Sequence, residues 1–249
     1  MRYESELEYA TRHSTLRRRR VLGAFLVALA VGAFFYQNQQ PVVAPDQPPA
    51  VTATSQPTAA ESPQLATTVL DTLSVKGRAP KTGYTRAQFG DGWLSIGGCD
   101  TRNIVLNRDL RDTVIGQNCK VMSGVLDDPY TGATIAFVRG AETSDDVQID
   151  HVVALSNAWQ TGAQLLDADL RIQLANDPLE LLAVDGGANQ AKGDGDAATW
   201  LPANKAFRCQ YIARQIAVKA KYNLWVTPPE KAAMQQVLGN CPTQTLPTQ

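Results

Sequence analysis

Apolar and polar positions divide the chain into three stretches of different character. Residues 21–36, VLGAFLVALAVGAFFY, run sixteen positions without a charge or a strongly polar group, directly behind Arg17-Arg18-Arg19-Arg20. A bilayer-spanning helix needs roughly 20 apolar residues, so this run is short but workable with Tyr36 at the interface and the arginines snorkelling. It is expected to be an export signal: an uncleaved transmembrane anchor, or a signal peptide cleaved after Ala33, with Val31 and Ala33 as the small residues the cleavage site needs. On either reading residues 1–20 are a basic segment held in the cytoplasm, and the chain beyond the apolar run crosses the membrane. Residues 37–64 carry six prolines and six glutamines, no aromatic, Leu or Ile, and only Asp46 and Glu61 as charges. They cannot bury a core and read as a disordered, partly extended tether.

From residue 65 the pattern becomes that of a folded domain, 65–249. Leu65, Thr68, Val69 and Thr72 at helical spacing predict a first helix over 64–73. Residues 75–99 are punctuated by six glycines and a proline too densely for long elements, with Tyr84, Phe89 and Trp93 expected to pack inward. Asp128-Pro129-Tyr130-Thr131-Gly132 is a turn signal and 133–140 alternates as a strand. A second strand is expected within 147–155, where Ile149, Val152 and Val153 are β-branched. Helical segments are expected over 156–164 and 166–177, the latter with Leu166, Leu170 and Leu174 as its stripe. A short buried strand over 179–184 comes next, and Gly186-Gly187 is expected to turn the chain into a short helix around residues 188–192. Residues 207–222 predict the longest helix, its inner face at Phe207, Tyr211, Ile212, Gln215 and Val218 and its cations elsewhere. Thr227, Pro228 and Glu230 spell a capping box with a proline start for a last helix ending near Gly239. No internal repeat is present. The elements add up to an α+β domain.

Composition narrows the classes. With 44% hydrophobic and 19% charged residues, the chain is neither wholly disordered nor a polytopic membrane protein. The formal charge of −1 gives no bulk attraction to polyanions. Residues 197–229 do hold Lys205, Arg208, Arg214, Lys219 and Lys221 and no acid, which is either a local basic surface for a nucleic-acid backbone or a plain solvated helix face. All four cysteines lie in the exported part, where an even count fits two disulfides. Their order favours Cys99 with Cys119 and Cys209 with Cys241, and the absence of any CxxC argues against zinc.

The candidate chemistry is confined to a few residues. Of two histidines, His13 precedes the export signal, so His151 is the exported domain's one imidazole. It stands directly after Asp150 at the end of a predicted strand, and neighbouring strand residues face opposite ways, so both reach one site only if the strand ends or bends there. Asn189 and Lys192 lie in the polar, glycine-interrupted cluster 188–196. A divalent cation on Asp150 and Asn189, hard oxygen donors suited to Mg²⁺ or Mn²⁺, would leave positions for a phosphate oxygen, while His151 deprotonates water. Lys192 could pair with a substrate phosphate as a point charge. Arg102, next to Cys99, could clamp a phosphate or form a salt bridge with Asp100 or Asp109.

Asp150-His151-Val152-Val153-Ala154-Leu155, with Asn176-Asp177-Pro178-Leu179 and Asn189-Gln190-Ala191-Lys192-Gly193-Asp194, resembles the HNH endonuclease superfamily, the His-Me finger or ββα-metal group. The likeness is nearest to the exported branch related to the C-terminal domain of GmrSD restriction endonucleases. The segments KGRAPKTGYTRAQFGDGW, CDTRN and LDDPYTG look like the same exported proteins. The resemblance implies a ββα-metal element inside a mostly helical, loop-rich, disulfide-bonded domain. It implies His151 as general base, Asp150 and Asn189 as metal ligands, and Glu180 or Asn176 in place of the asparagine that orients the base in many members. The reaction implied is metal-dependent hydrolysis of phosphodiesters in nucleic acid, DNA ahead of RNA, with weak sequence preference. Two other readings share the fold: a silent binding or structural domain of the envelope, and a hydrolase of another envelope phosphodiester.

Overall fold

The computed structural model describes residues 64–141 and 144–247. The expected basic segment 1–20, export signal 21–36 and nearly all of the tether 37–64 lie outside the described residues. Among the described residues no helix is long and apolar enough to cross a membrane.

The chain begins with α1 (Ala66–Thr72), where expected, and Leu65 bridges to Thr245 so that the two ends of the domain meet. The glycine-rich stretch contains only one 3-10 turn (Arg86–Phe89) before the small hairpin of β1 (Ser95–Ile96) and β2 (Cys99–Asp100). Helix α2 (Thr101–Asp109) starts on Asp100, whose carboxylate accepts the Asn103 backbone N–H at 2.7 Å. An antiparallel meander comes after it: β3 (Arg111–Ile115), β4 (Val121–Asp127) and β5 (Thr134–Val138). Then β6 (Val147–His151) and β7 (Leu181–Asp185) form a separate antiparallel pair, with α3 (Leu155–Gln160) and α4 (Ala168–Asn176) in the connection. Helix α5 (Gly186–Lys192) leaves β7 directly, and α6 (Arg208–Lys221) and α7 (Pro228–Leu238) complete the domain. The class is α+β, and both expected disulfides are formed, Cys99 with Cys119 and Cys209 with Cys241.

The β6/β7 pair lies between two hydrophobic cores. Val147, Ile149, Leu181 and Ala183 face the smaller one, built on Val105 and Leu106 of α2 and on Phe137 of β5. Leu182 and Val184 face the larger one, against Tyr211, Ile212 and Ile216 of α6. Burial on both faces explains why β7 reads as an unbroken apolar run. It also fixes the register, in which Asp150 opposes Leu182 and His151 opposes Leu181. Each such side chain contributes about 1.5–3 kcal/mol when buried, and a one-residue slip would carry Asp150 into an apolar core.

Four expectations change. The strand expected from residue 179 begins at Leu181, because Leu179 and Glu180 belong to a turn on Asp177. Gly186-Gly187 is the first turn of α5 rather than a loop: Asp185 caps it by accepting the Ala188 N–H at 2.7 Å. Glycine is required at 186 because a Cβ there would stand 2.0 Å from the Asp145 carbonyl oxygen. Leu170 of the expected stripe is exposed and Leu166 precedes α4, leaving Leu174 as the buried member. Lys219 does not join the exposed cations of α6. It is buried against Glu230, with Nζ 2.9 Å from Oε1 and a further bond to the Trp225 carbonyl at 3.0 Å.

Candidate active site

Strand β6 ends at His151, and this termination brings side chains of opposite faces to one place. Asp150, His151 and Asn189 all line a cleft of about 560 Å³ whose rim also carries Lys81, Arg86 and Arg102. The imidazole is buried and held by two contacts. Its Nε2 lies 3.0 Å from the carbonyl oxygen of Ala175 near the end of α4. A carbonyl only accepts, so Nε2 carries the proton and Nδ1 keeps its lone pair. Trp93 stacks on the ring, centroids 5.9 Å apart and planes 6° from parallel. Burial pushes the His151 pKa down to about 3; the Ala175 bond opposes this, and nearby Arg86 and Lys192 add to it. The ring is therefore neutral at neutral pH, in the tautomer whose Nδ1 can accept a proton.

Asp150 is held as firmly. Its Oδ2 accepts the Tyr130 hydroxyl, and its Oδ1 pairs with Lys192 Nζ at 2.9 Å. Burial, then the Asp150 charge, raise the Tyr130 pKa well above the ordinary phenol value, so the hydroxyl stays protonated and donates. Asn189 gives its amide nitrogen to Gln148 Oε1 at 2.8 Å, and among the described residues its Oδ1 has no hydrogen-bond partner. At the rim, Lys81 pairs with Asp194 at 3.2 Å, and Asp194 also accepts from Ser156.

Several expected site residues are elsewhere. Lys192 is buried and does not line the cleft: its ammonium is committed to Asp150 and to the His151 carbonyl at 2.7 Å, not to a substrate phosphate. Arg208 donates to the Pro202 carbonyl and Arg214 to those of Leu179 and Pro178, away from the cleft. Lys221 pairs with Asp177 at 2.8 Å. The acid-free window 197–229 is thus no continuous basic surface, because acids from outside it come to meet Lys219 and Lys221. Arg102 does line the cleft, but it forms neither expected salt bridge; its guanidinium donates to the carbonyls of Val147 at 3.2 Å and Ser144 at 3.4 Å.

Neither expected orienting residue touches the imidazole. Glu180 accepts the Val153 N–H through Oε2 and its Oε1 has no partner; burial raises its pKa well above the carboxylate range. Asn176 accepts the Leu94 N–H at 2.9 Å, so it holds the residue next to Trp93 rather than the ring. The orienting group is the Ala175 carbonyl, one residue before Asn176, which no side-chain pattern announces. Trp93 reads in the sequence only as an inward-packing aromatic, and Tyr130, Arg86 and Lys81 escape residue-by-residue reading, although all four fall in the glycine-rich and turn segments that carry the wider resemblance.

A divalent cation fits the donor set. Asp150 and Asn189 offer two hard oxygens on one cleft wall, and Mg²⁺ ordinarily keeps several waters as its other ligands. Each Asp150 oxygen retains a lone pair beside its present partner. Among the described residues no group of three or more His, Cys, Asp or Glu is placed to hold a metal, so such a cation would rest on these two side chains and water.

A secreted protein of Arthroderma benhamiae, itself named only as uncharacterized, is 39% identical over 183 residues, which cover 72% of this chain and 86% of its own length. No solved structure matches the chain. The model of the family described as GmrSD restriction endonucleases, C-terminal domain, matches residues 100–237, a span that includes β6, β7, α5 and the cleft residues on them. The chain belongs to the GmrSD restriction endonuclease C-terminal domain family, a nuclease-related group.

Proposed function

We propose that the domain is an exported, metal-dependent endonuclease that hydrolyses nucleic-acid phosphodiesters with little sequence preference. The reading rests above all on one observation: an imidazole whose Nε2 lies 3.0 Å from the Ala175 carbonyl oxygen shares a cation-rimmed cleft with two oxygen donors. His151 Nδ1 takes a proton from the attacking water, and the Ala175 bond and Trp93 stack keep the ring from turning. Arg86 and Arg102 meet the phosphate oxygens at the rim, where charge-assisted bonds fix the scissile group. Asp150 and Asn189 would hold Mg²⁺ or Mn²⁺; when bound, the ion polarises the phosphate and stabilises the departing oxygen. Tyr130 and Lys192 hold the Asp150 carboxylate in place from behind. Two disulfides and the secreted relative support export.

The test is cleavage of plasmid DNA and of RNA by the oxidised protein in Mg²⁺, Mn²⁺ or EDTA, beside Asn189→Ala. The expected result is metal-dependent cleavage that falls by at least tenfold in the variant. Cleavage that persists in EDTA would sink the metal assignment, and no cleavage of either polymer by folded, metal-loaded protein would sink the endonuclease reading.

A further inference from the structure

A second hollow abuts His151 and has no part in the hydrolytic mechanism. It encloses about 170 Å³ and is walled by Phe89, Trp93, Leu155 and Ala175, with Gly90 and Gly92 contributing bare backbone. Arg86, Trp93, His151 and Leu155 line both this hollow and the larger cleft, so the two spaces share a wall that contains the imidazole. Ala175, whose carbonyl oxygen lies 3.0 Å from Nε2, lines the hollow and not the cleft.

The two spaces differ in chemistry. The cleft has oxygen donors and three cations on its rim, a setting for phosphate. The hollow is lined by aromatic and guanidinium side chains, those of Phe89, Trp93, His151 and Arg86. Such surfaces take planar heteroaromatic rings whatever their hydrogen-bonding edge. Its volume has room for one ring system and not for a stacked pair. Gly90 (φ +96°) and Gly92 (φ +147°) adopt backbone that side chains rarely tolerate.

We propose that this hollow holds one unstacked nucleobase adjacent to the scissile phosphate, and that the substrate is therefore single-stranded nucleic acid. The inference rests on the phosphodiester reading and names its substrate class. In a duplex the neighbouring base is paired and stacked and would have to be extruded before it could enter, an added barrier that a single strand does not present. Contacts to the ring faces would make the pocket tolerant of base identity, in keeping with weak sequence preference.

Two measurements on the full chain with its disulfides intact test this. The first is calorimetric binding of a nucleoside 5′-monophosphate and of ribose 5-phosphate, which differ only in the base. The nucleotide is expected to bind at least tenfold more tightly, and Trp93→Ala to erase most of the difference. Equal binding of the two compounds by the wild type would overturn the base pocket. The second compares cleavage of a labelled single strand with that of its duplex. At least tenfold faster cleavage of the single strand is expected, and equal rates or a duplex preference would overturn the proposal. Base-dependent binding with no cleavage of either polymer would support the pocket and overturn the hydrolysis reading alone.

Discussion

Two buried lysines face two buried carboxylates in this domain, and their surroundings separate structure from chemistry. Lys219 and Glu230 are closed inside the helical core, each about 1% exposed, and the ammonium reaches the Trp225 carbonyl as well. Glu230 is also the residue that completes the capping box of α7 with Thr227. Lys192 and Asp150 are nearly as buried, but the carboxylate forms part of a cleft wall beside an imidazole and a free amide oxygen. One pair joins two helices and has nothing to react with. The other supports a carboxylate that lines the cleft.

The comparison makes measurable demands. Lys219→Met leaves Glu230 buried without its cation, and breaking such a pair costs about 3–5 kcal/mol. The midpoint of urea unfolding is expected to fall accordingly, with cleavage per folded molecule unchanged. A stability loss under about 1 kcal/mol would show that the pair is not structural in this sense. The staple across the same region comes next. Cys209–Cys241 closes a separation of 32 residues from the start of α6 to just beyond α7, and removing it with paired serines is expected to cost about 3–4 kcal/mol.

Lys192→Met is expected to cost less, about 1–3 kcal/mol, because the Asp150 carboxylate can draw on water or a cation from the cleft. The same change removes the positive charge that competes for Asp150. Thermal unfolding with and without Mg²⁺ should therefore show a larger metal-induced rise in Tm for this variant than for the wild type. An equal or smaller rise would contradict Asp150 as a ligand.

The smallest effect concerns Glu180, whose folded pKa is raised by burial. A raised carboxyl pKa contributes fully below the unfolded value near 4.5, and that contribution is lost as pH climbs toward the folded pKa. Glu180→Gln has no such dependence. It should gain stability on the wild type at pH 8 and little at pH 4, read by denaturant titration at both. A pH-independent difference would mean that Glu180 is charged in the fold.

Much of the architecture was legible from local chemistry. The capping box of α7, the face of α6, the disulfide order and the Asp150-His151 strand end all depend on residues close together in sequence. The features that were missed depend on distance. Lys219 reads as a surface cation until Glu230 folds against it, and Lys192 reads as a phosphate ligand until Asp150, 42 residues earlier, claims it. The group that orients His151 is a main-chain carbonyl, which has no letter in the sequence. Trp93 and Tyr130 are single aromatics in loops, and only the fold shows that one covers His151 while the other holds Asp150.

Single-turnover cleavage of single-stranded DNA by the wild type and by His151→Ala, with folding of both verified by near-UV circular dichroism, tests the assignment of the base most directly. Removing a general base is expected to lower the rate about 10²–10⁴-fold. A folded His151→Ala protein that cleaves at the wild-type rate would contradict the role given to the imidazole, and with it the mechanism built around the cleft.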